Sequence, residues 1–238
     1  MMENKELARI AGVLYLFLAI TGVYGLIYVG SQTYVRGDAV ATAQKMLANE
    51  FLFRTGIAGN LISQTLFVFL VLAFYRLLKT VNEHHAKLMV ALVLVSIPIT
   101  FICESFNITA LMILKGDILP SFSPQQQQEW AMAFLKMNAN GILVVEIFWG
   151  LWLIPLGLLF YKSGFMPRII GVLLVGGGIM YLIEVCTNVV FPEYRAFINP
   201  ITSVILPISE FSTILWLLIK GVKTVKNDPN TEGGKSNY

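Results

Sequence analysis

Six apolar stretches, at about residues 8–30, 53–78, 87–114, 139–161, 167–191 and 200–220, set the terms for how this chain can fold. A helix rises about 1.5 Å per residue and the hydrocarbon core of a bilayer is about 30 Å thick, so each stretch is long enough to cross it. The expected fold is all-α: a polytopic membrane protein with six transmembrane helices. Composition agrees, since only 13% of the residues are charged, against about 25% in soluble domains. The first stretch follows a basic start, but it is far longer than a signal-peptide core and has no small-x-small cleavage site. It is expected to remain as a helix.

Lysine and arginine near helix ends tend to stay on the cytoplasmic side, so their distribution orients the spans. One side receives eleven of them: Lys5, Arg9, Arg76, Lys79, Lys87, Lys162, Arg168, Lys220, Lys223, Lys226 and Lys235. The other receives six: Arg36, Lys45, Arg54, Lys115, Lys136 and Arg195. Both termini are therefore expected in the cytoplasm, with residues 1–221 forming the transmembrane domain and 222–238 a polar, disordered tail. The net charge of +3 is spread over helix ends and not gathered into a patch, so no nucleic-acid partner is implied. Cys103 and Cys186 both lie in apolar runs, which excludes a disulfide framework or a CxxC metal site. They read as small packing residues.

Within the spans, acids and amides fall at similar depths. Glu146 and Glu184 each sit sixteen residues from the basic residue at the turn end of their helix, Lys162 and Arg168. That places both carboxylates about 24 Å from the basic layer. Glu104 is seventeen residues from Lys87, and Asn60 is sixteen from Arg76 with Gln64 one turn deeper. Glu210, ten residues from Lys220, lies nearer mid-membrane, with Ser203 two turns away on its face. Asn107 and Asn188 share helix faces with Glu104 and Glu184, at spacings of three and four. An acid at the centre of a span costs about 2.5–3.5 kcal/mol on insertion scales and normally faces the bundle interior or a water-filled cavity. In low dielectric a carboxylate favours its neutral form unless it is paired. Four such acids meeting in one outward-facing pocket would exchange protons or bind a cation. The competing reading makes them hydrogen-bonding groups that fix helix packing.

Several local signals place the rest. Asp38 is placed to cap a short helix over GDAVATAQKMLANE, with Val40, Met46 and Leu47 on its weakly apolar face along the outer interface. Arg54, near the outer boundary, either extends its charge to headgroups or pairs with a carboxylate in the bundle. His84 and His85 are adjacent, point to different helix faces and belong to a solvated loop. Ser123 with Gln126 forms a capping-box pattern, Pro124 occupies the first helical position, and Trp130 suits the outer interface. Gly164 suits a left-handed cap before Pro167 opens the next helix. Gly176, Gly177 and Gly178 read as close packing between helices. Pro98, Pro155 and Pro207 each interrupt a span and make the acid-bearing helices bendable. Residues 91–104 align without gaps on 171–184, keeping four identities that include Glu104/Glu184, the pattern of a parallel internal repeat.

Enzymatic motifs are missing. There is no HExxH, GxSxG or phosphate-binding loop, two histidines rule out a three-histidine zinc site, and no span carries paired aspartates. No cofactor is implied. The expected role is binding or transport of a cation, an amine or a proton, with the lipid bilayer as partner. Candidate site residues are Glu104, Glu146, Glu184, Glu210, Asn60, Gln64, Asn107, Asn188 and Arg54. The alternative is an accessory or sensory membrane protein with structural glutamates and a protein partner.

The segments GDAVATAQKMLANEFLFRTGIAGNLI and FYRLLKTVN, and FWGLW followed by YKSGFMPRIIGVLLVGGGIMYLI, resemble a bacterial family of membrane proteins defined as a domain of unknown function, number forty-three eighty-six. The likeness covers nearly the whole chain outside the tail, and the SGFMPRIIGVLL turn is its strongest signature. It implies a bacterial inner-membrane protein and brings no activity or catalytic residues with it.

Overall fold

A computed structural model describes residues 4–222. The expected tail lies outside the described residues except for Val222, which is buried against the core. Every long element is a helix, and six helices are long and apolar enough to cross a membrane. The first span comprises α1 (Asn4–Gly22), a π-helical segment (Val23–Val29) and the short α2 (Gly30–Thr33). After α3 (Ala39–Ala48) come the spans α4 (Glu50–Leu78), α5 (Glu83–Leu114), α6 (Pro124–Ser163), α7 (Arg168–Val190) and α8 (Arg195–Ile219), the last preceded by a 3-10 turn at Pro192–Tyr194.

Two boundaries differ from those expected. The fourth span does not begin at 139: it is continuous with the capping box, in which Ser123 N–H donates to Gln126 Oε1 at 2.9 Å, giving a helix of 40 residues. No proline interrupts it until Pro155, so its length of about 60 Å carries its first turns beyond the hydrocarbon. His84 and His85 lie in the first turn of α5 and not in a loop, because the Asn82 side chain accepts from His85 N at 2.9 Å and starts the helix there.

Asp38 caps α3 as expected, its carboxylate accepting from Ala41 N at 2.8 Å. The buried face of α3 is Thr42, Ala43 and Met46; Val40 and Leu47 are exposed. Helical spacing keeps Met46 with Thr42, four residues away, and turns its neighbour Leu47 outward. Replacing Asp38 with alanine removes a cap worth about 1 kcal/mol, which should appear as a lower thermal midpoint of the purified chain in detergent.

Each span packs on its neighbours in the sequence, and α8 returns to pack on α1, closing a ring. The interior holds two apolar clusters. One gathers Tyr15, Phe67, Phe74, Trp152, Phe160 and Leu174 near the end rich in lysine and arginine. The other, with Val29, Met46, Phe53, Ala110 and Leu135, fills the opposite end beneath α3. Asn60, Gln64, Glu104 and Glu146 fall, along their helices, between the residues of these two clusters.

Glycine lets α6 and α7 approach backbone to backbone. A Cβ on Gly178 would lie 2.6 Å from the Gly150 carbonyl oxygen, and one on Gly171 would lie 2.5 Å from that of Gly157. Gly164, at φ 71°, makes the left-handed turn between the two helices. Gly177 is in contact with Ser209 of α8, so two of the three consecutive glycines pack closely. Gly176 has no neighbour within 4 Å of an added Cβ and takes no part in that packing.

Candidate functional site

The chain does not gather its four intramembrane acids into one pocket; it distributes them over three settings. Glu104 on α5 is 1% exposed and sits in a cage of amides. Asn60 Nδ2 of α4 donates to its Oε1 at 2.9 Å, and Asn107 Nδ2 donates to its Oε2 at 3.0 Å. Asn138 of α6 ties the same place to the α5 backbone, donating to the Cys103 carbonyl at 2.8 Å. The i to i+3 spacing brings Asn107 back over Glu104, and the contact of α5 with α4 and α6 supplies the other two amides.

Glu210 on α8 lies where α1 and α7 converge. Tyr15 Oη donates to its Oε2 at 2.7 Å and Tyr181 Oη to its Oε1 at 3.2 Å. Tyr15 is fully buried and held edge-on by Phe74 and Trp152, with ring centroids 6.1 Å away in each case. The two phenols leave further lone pairs on the carboxylate free.

Glu146 on α6 and Glu184 on α7 form the third setting. They lie within electrostatic reach of one another, and Tyr181 feels both as well as Glu210. Oε2 of Glu146 is buried without a hydrogen-bond partner. Asn188 does not bond the Glu184 carboxylate; it donates to the Glu184 main-chain oxygen at 2.9 Å and to Asn199 Oδ1 of α8 at 3.3 Å. Arg195 in turn donates to the Asn188 main-chain oxygen.

Arg54 joins none of these groups. Glu50, one turn earlier on the same face of α4, takes its guanidinium at 2.8 Å and also takes the Lys115 ammonium at 2.9 Å. That local partner outcompetes any acid deeper in the bundle. Among the described residues, no three His, Cys, Asp or Glu side chains come together to hold a metal ion.

Two cavities flank the π-helical segment. The first, of about 240 Å³, is bounded by α1, α4, α6, α7 and α8, and contains Gln64, Trp149, Trp152, Tyr181 and Glu210. The second, of about 300 Å³, lies toward α3's end of the bundle and contains Asn60, Asn107 and Asn138. Leu26 of the π segment lines both. Irregular turns of this kind occur frequently at functional sites.

Residues 10–221 match the family described as Domain of unknown function (DUF4386). The chain belongs to the DUF4386 family. No curated protein and no solved structure matches it. The DUF4386 chain is thus a multi-pass helical membrane protein whose polar residues are read from its own geometry.

Of the residues singled out in the sequence of this DUF4386 protein, Asn60, Asn107 and Glu104 come together, and Gln64 and Glu210 share a cavity. The partners that sequence reasoning missed are Tyr15, Tyr181, Asn138, Trp149 and Trp152. A signal was available for two of them: Tyr15 and Tyr181 lie well inside hydrophobic helices, where a polar tip needs a partner, whereas Asn138 falls just before the fourth apolar stretch.

Proposed function

We propose that this protein binds or transports a small cation, an amine or a proton in a bacterial cytoplasmic membrane, using the Glu210 carboxylate on the wall of a cavity within the bundle. In this reading both termini are cytoplasmic, which the eleven basic residues on that side against six on the other support. The observation that carries the proposal is Glu210: an intramembrane carboxylate, braced by two phenols, on the wall of a cavity between five helical segments. Intramembrane acids of this kind mark ion and proton pathways. Glu146 and Glu184, across Tyr181 from it, add further proton or cation sites along the same path.

A second reading, an accessory or sensory protein with structural glutamates, is favoured at one place. Glu104 has both oxygens engaged by amides and acts as a brace.

The test uses the full chain reconstituted in liposomes, with each glutamate changed singly to glutamine. Glu210→Gln should abolish saturable uptake or binding of protons, alkali cations, ammonium or methylammonium while the thermal midpoint is kept. Wild-type behaviour from all four variants across that panel contradicts the proposal.

A further inference from the structure

The cavity at Glu210 has walls that a bare metal ion does not need. Phe67, Trp149, Trp152, Tyr181 and Phe211 present aromatic rings to it. Phe67 and Trp152 meet edge to face at 4.8 Å, which fixes the cavity's floor. Polar groups are few, and two of them are unpaired. Gln64 is 7% exposed, its Oε1 has no hydrogen-bond partner, and Trp149 Nε1 has none either. A buried acceptor left unpaired costs free energy unless something binds it. Val23, Ile27, Pro207 and Phe211 on the rim are all exposed, so the cavity opens between the π-helical segment and α8, on the perimeter that faces lipid.

A carboxyl group that can ionise beside a cation, aromatic faces, one spare acceptor and an opening toward lipid together describe a partner that carries positive charge on an apolar body. Aromatic rings attract cations by their quadrupole, most strongly when water is excluded. Glu210 supplies the counter-charge, and the lipid-facing rim admits a molecule already partitioned into the bilayer. We infer that the cavity holding Glu210, Gln64 and Trp149 is a binding site for organic ammonium compounds with apolar substituents. This deepens the cation reading above and rests on it. The amide-caged Glu104 takes no part in the ligand contact.

The test is titration calorimetry on the full chain in detergent micelles with benzyltrimethylammonium chloride, with neopentylbenzene, its neutral carbon isostere, and with sodium chloride. The ammonium should bind saturably, and the neutral isostere should bind at least about tenfold more weakly. Glu210→Gln should lose the ammonium by a similar factor. Ala19→Phe, which adds a ring to the cavity wall and leaves the Glu210 carboxyl in the chain, should block binding with the fold intact and decides the question if Glu210→Gln fails to fold. Equal binding of the neutral isostere, or undiminished ammonium binding by Ala19→Phe, overturns the inference. If sodium or proton binding responds to the glutamate changes while the ammonium does not bind, this inference falls and the broader cation reading stands. If none binds, both fall.

Discussion

Replacing Glu104 with leucine is expected to lower the unfolding free energy by at least about 1–3 kcal/mol. The reason is what the change leaves behind. Asn60 and Asn107 donate directly to the two Glu104 oxygens, and Asn60 is itself only 6% exposed. Each buried donor stripped of its acceptor costs about 1–3 kcal/mol. Asn60 also has an Oδ1 without a partner, so after the substitution its whole amide is unsatisfied. The mechanism predicts a coupling as well. Asn60→Leu combined with Glu104→Leu removes donor and acceptor together and should recover part of the loss, so the two effects are not additive. Thermal or denaturant unfolding of the two single variants and the double variant measures this. Strict additivity would show that the bond between these residues carries no stability.

Gly171→Ala should destabilise by about 1–3 kcal/mol through overpacking, and a branched residue there should prevent folding. The added methyl would lie 2.5 Å from the Gly157 carbonyl oxygen, 2.8 Å from Tyr161 N and 3.0 Å from Tyr161 Cβ. Two of these are backbone atoms and the third is a Cβ, none of which a rotamer change can move, so α6 and α7 must separate. Gly176→Ala is the matched control, because no atom lies within 4 Å of its added Cβ. There alanine should be neutral, or should stabilise by about 0.5–1 kcal/mol as it does in a helix interior. Oppositely signed shifts from two glycines of one helix, read by thermal unfolding in the same detergent, separate close packing from general helix propensity. Equal shifts would contradict the backbone contact.

Much of the architecture was legible in the sequence because hydrophobic length is a local property. The six spans, the cap at Asp38, the capping box at Ser123 and the left-handed turn at Gly164 each depend on a few neighbouring residues. The depth of the polar residues was also readable, since a helix converts residue number into distance. What depth could not give was azimuth. Glu104 and Glu210 differ in what surrounds them because α5 meets α4 and α6, whereas α8 meets α1 and α7. That neighbourhood is a property of the closed ring and of no single helix. Arg54 shows the same limit from the other side, since Glu50 satisfies it within one turn.

One signal was present and went unread. Gly150, Gly157, Gly164, Gly171 and Gly178 recur every seven residues and are symmetric about the turn at Gly164. Two helices folding back at that glycine must bring Gly157 to Gly171 and Gly150 to Gly178, the pairs that touch. The consecutive glycines at 176–178 are the more conspicuous run, although the first of them packs on nothing within 4 Å.

The most direct test of the account is a density map of the full chain in lipid nanodiscs with benzyltrimethylammonium chloride present. Density for the cation is expected beside Glu210, among Trp149, Trp152 and Tyr181, with Glu104 still enclosed by its amides. An acyl chain filling that cavity, with the ammonium absent or lodged against Glu104, would contradict it.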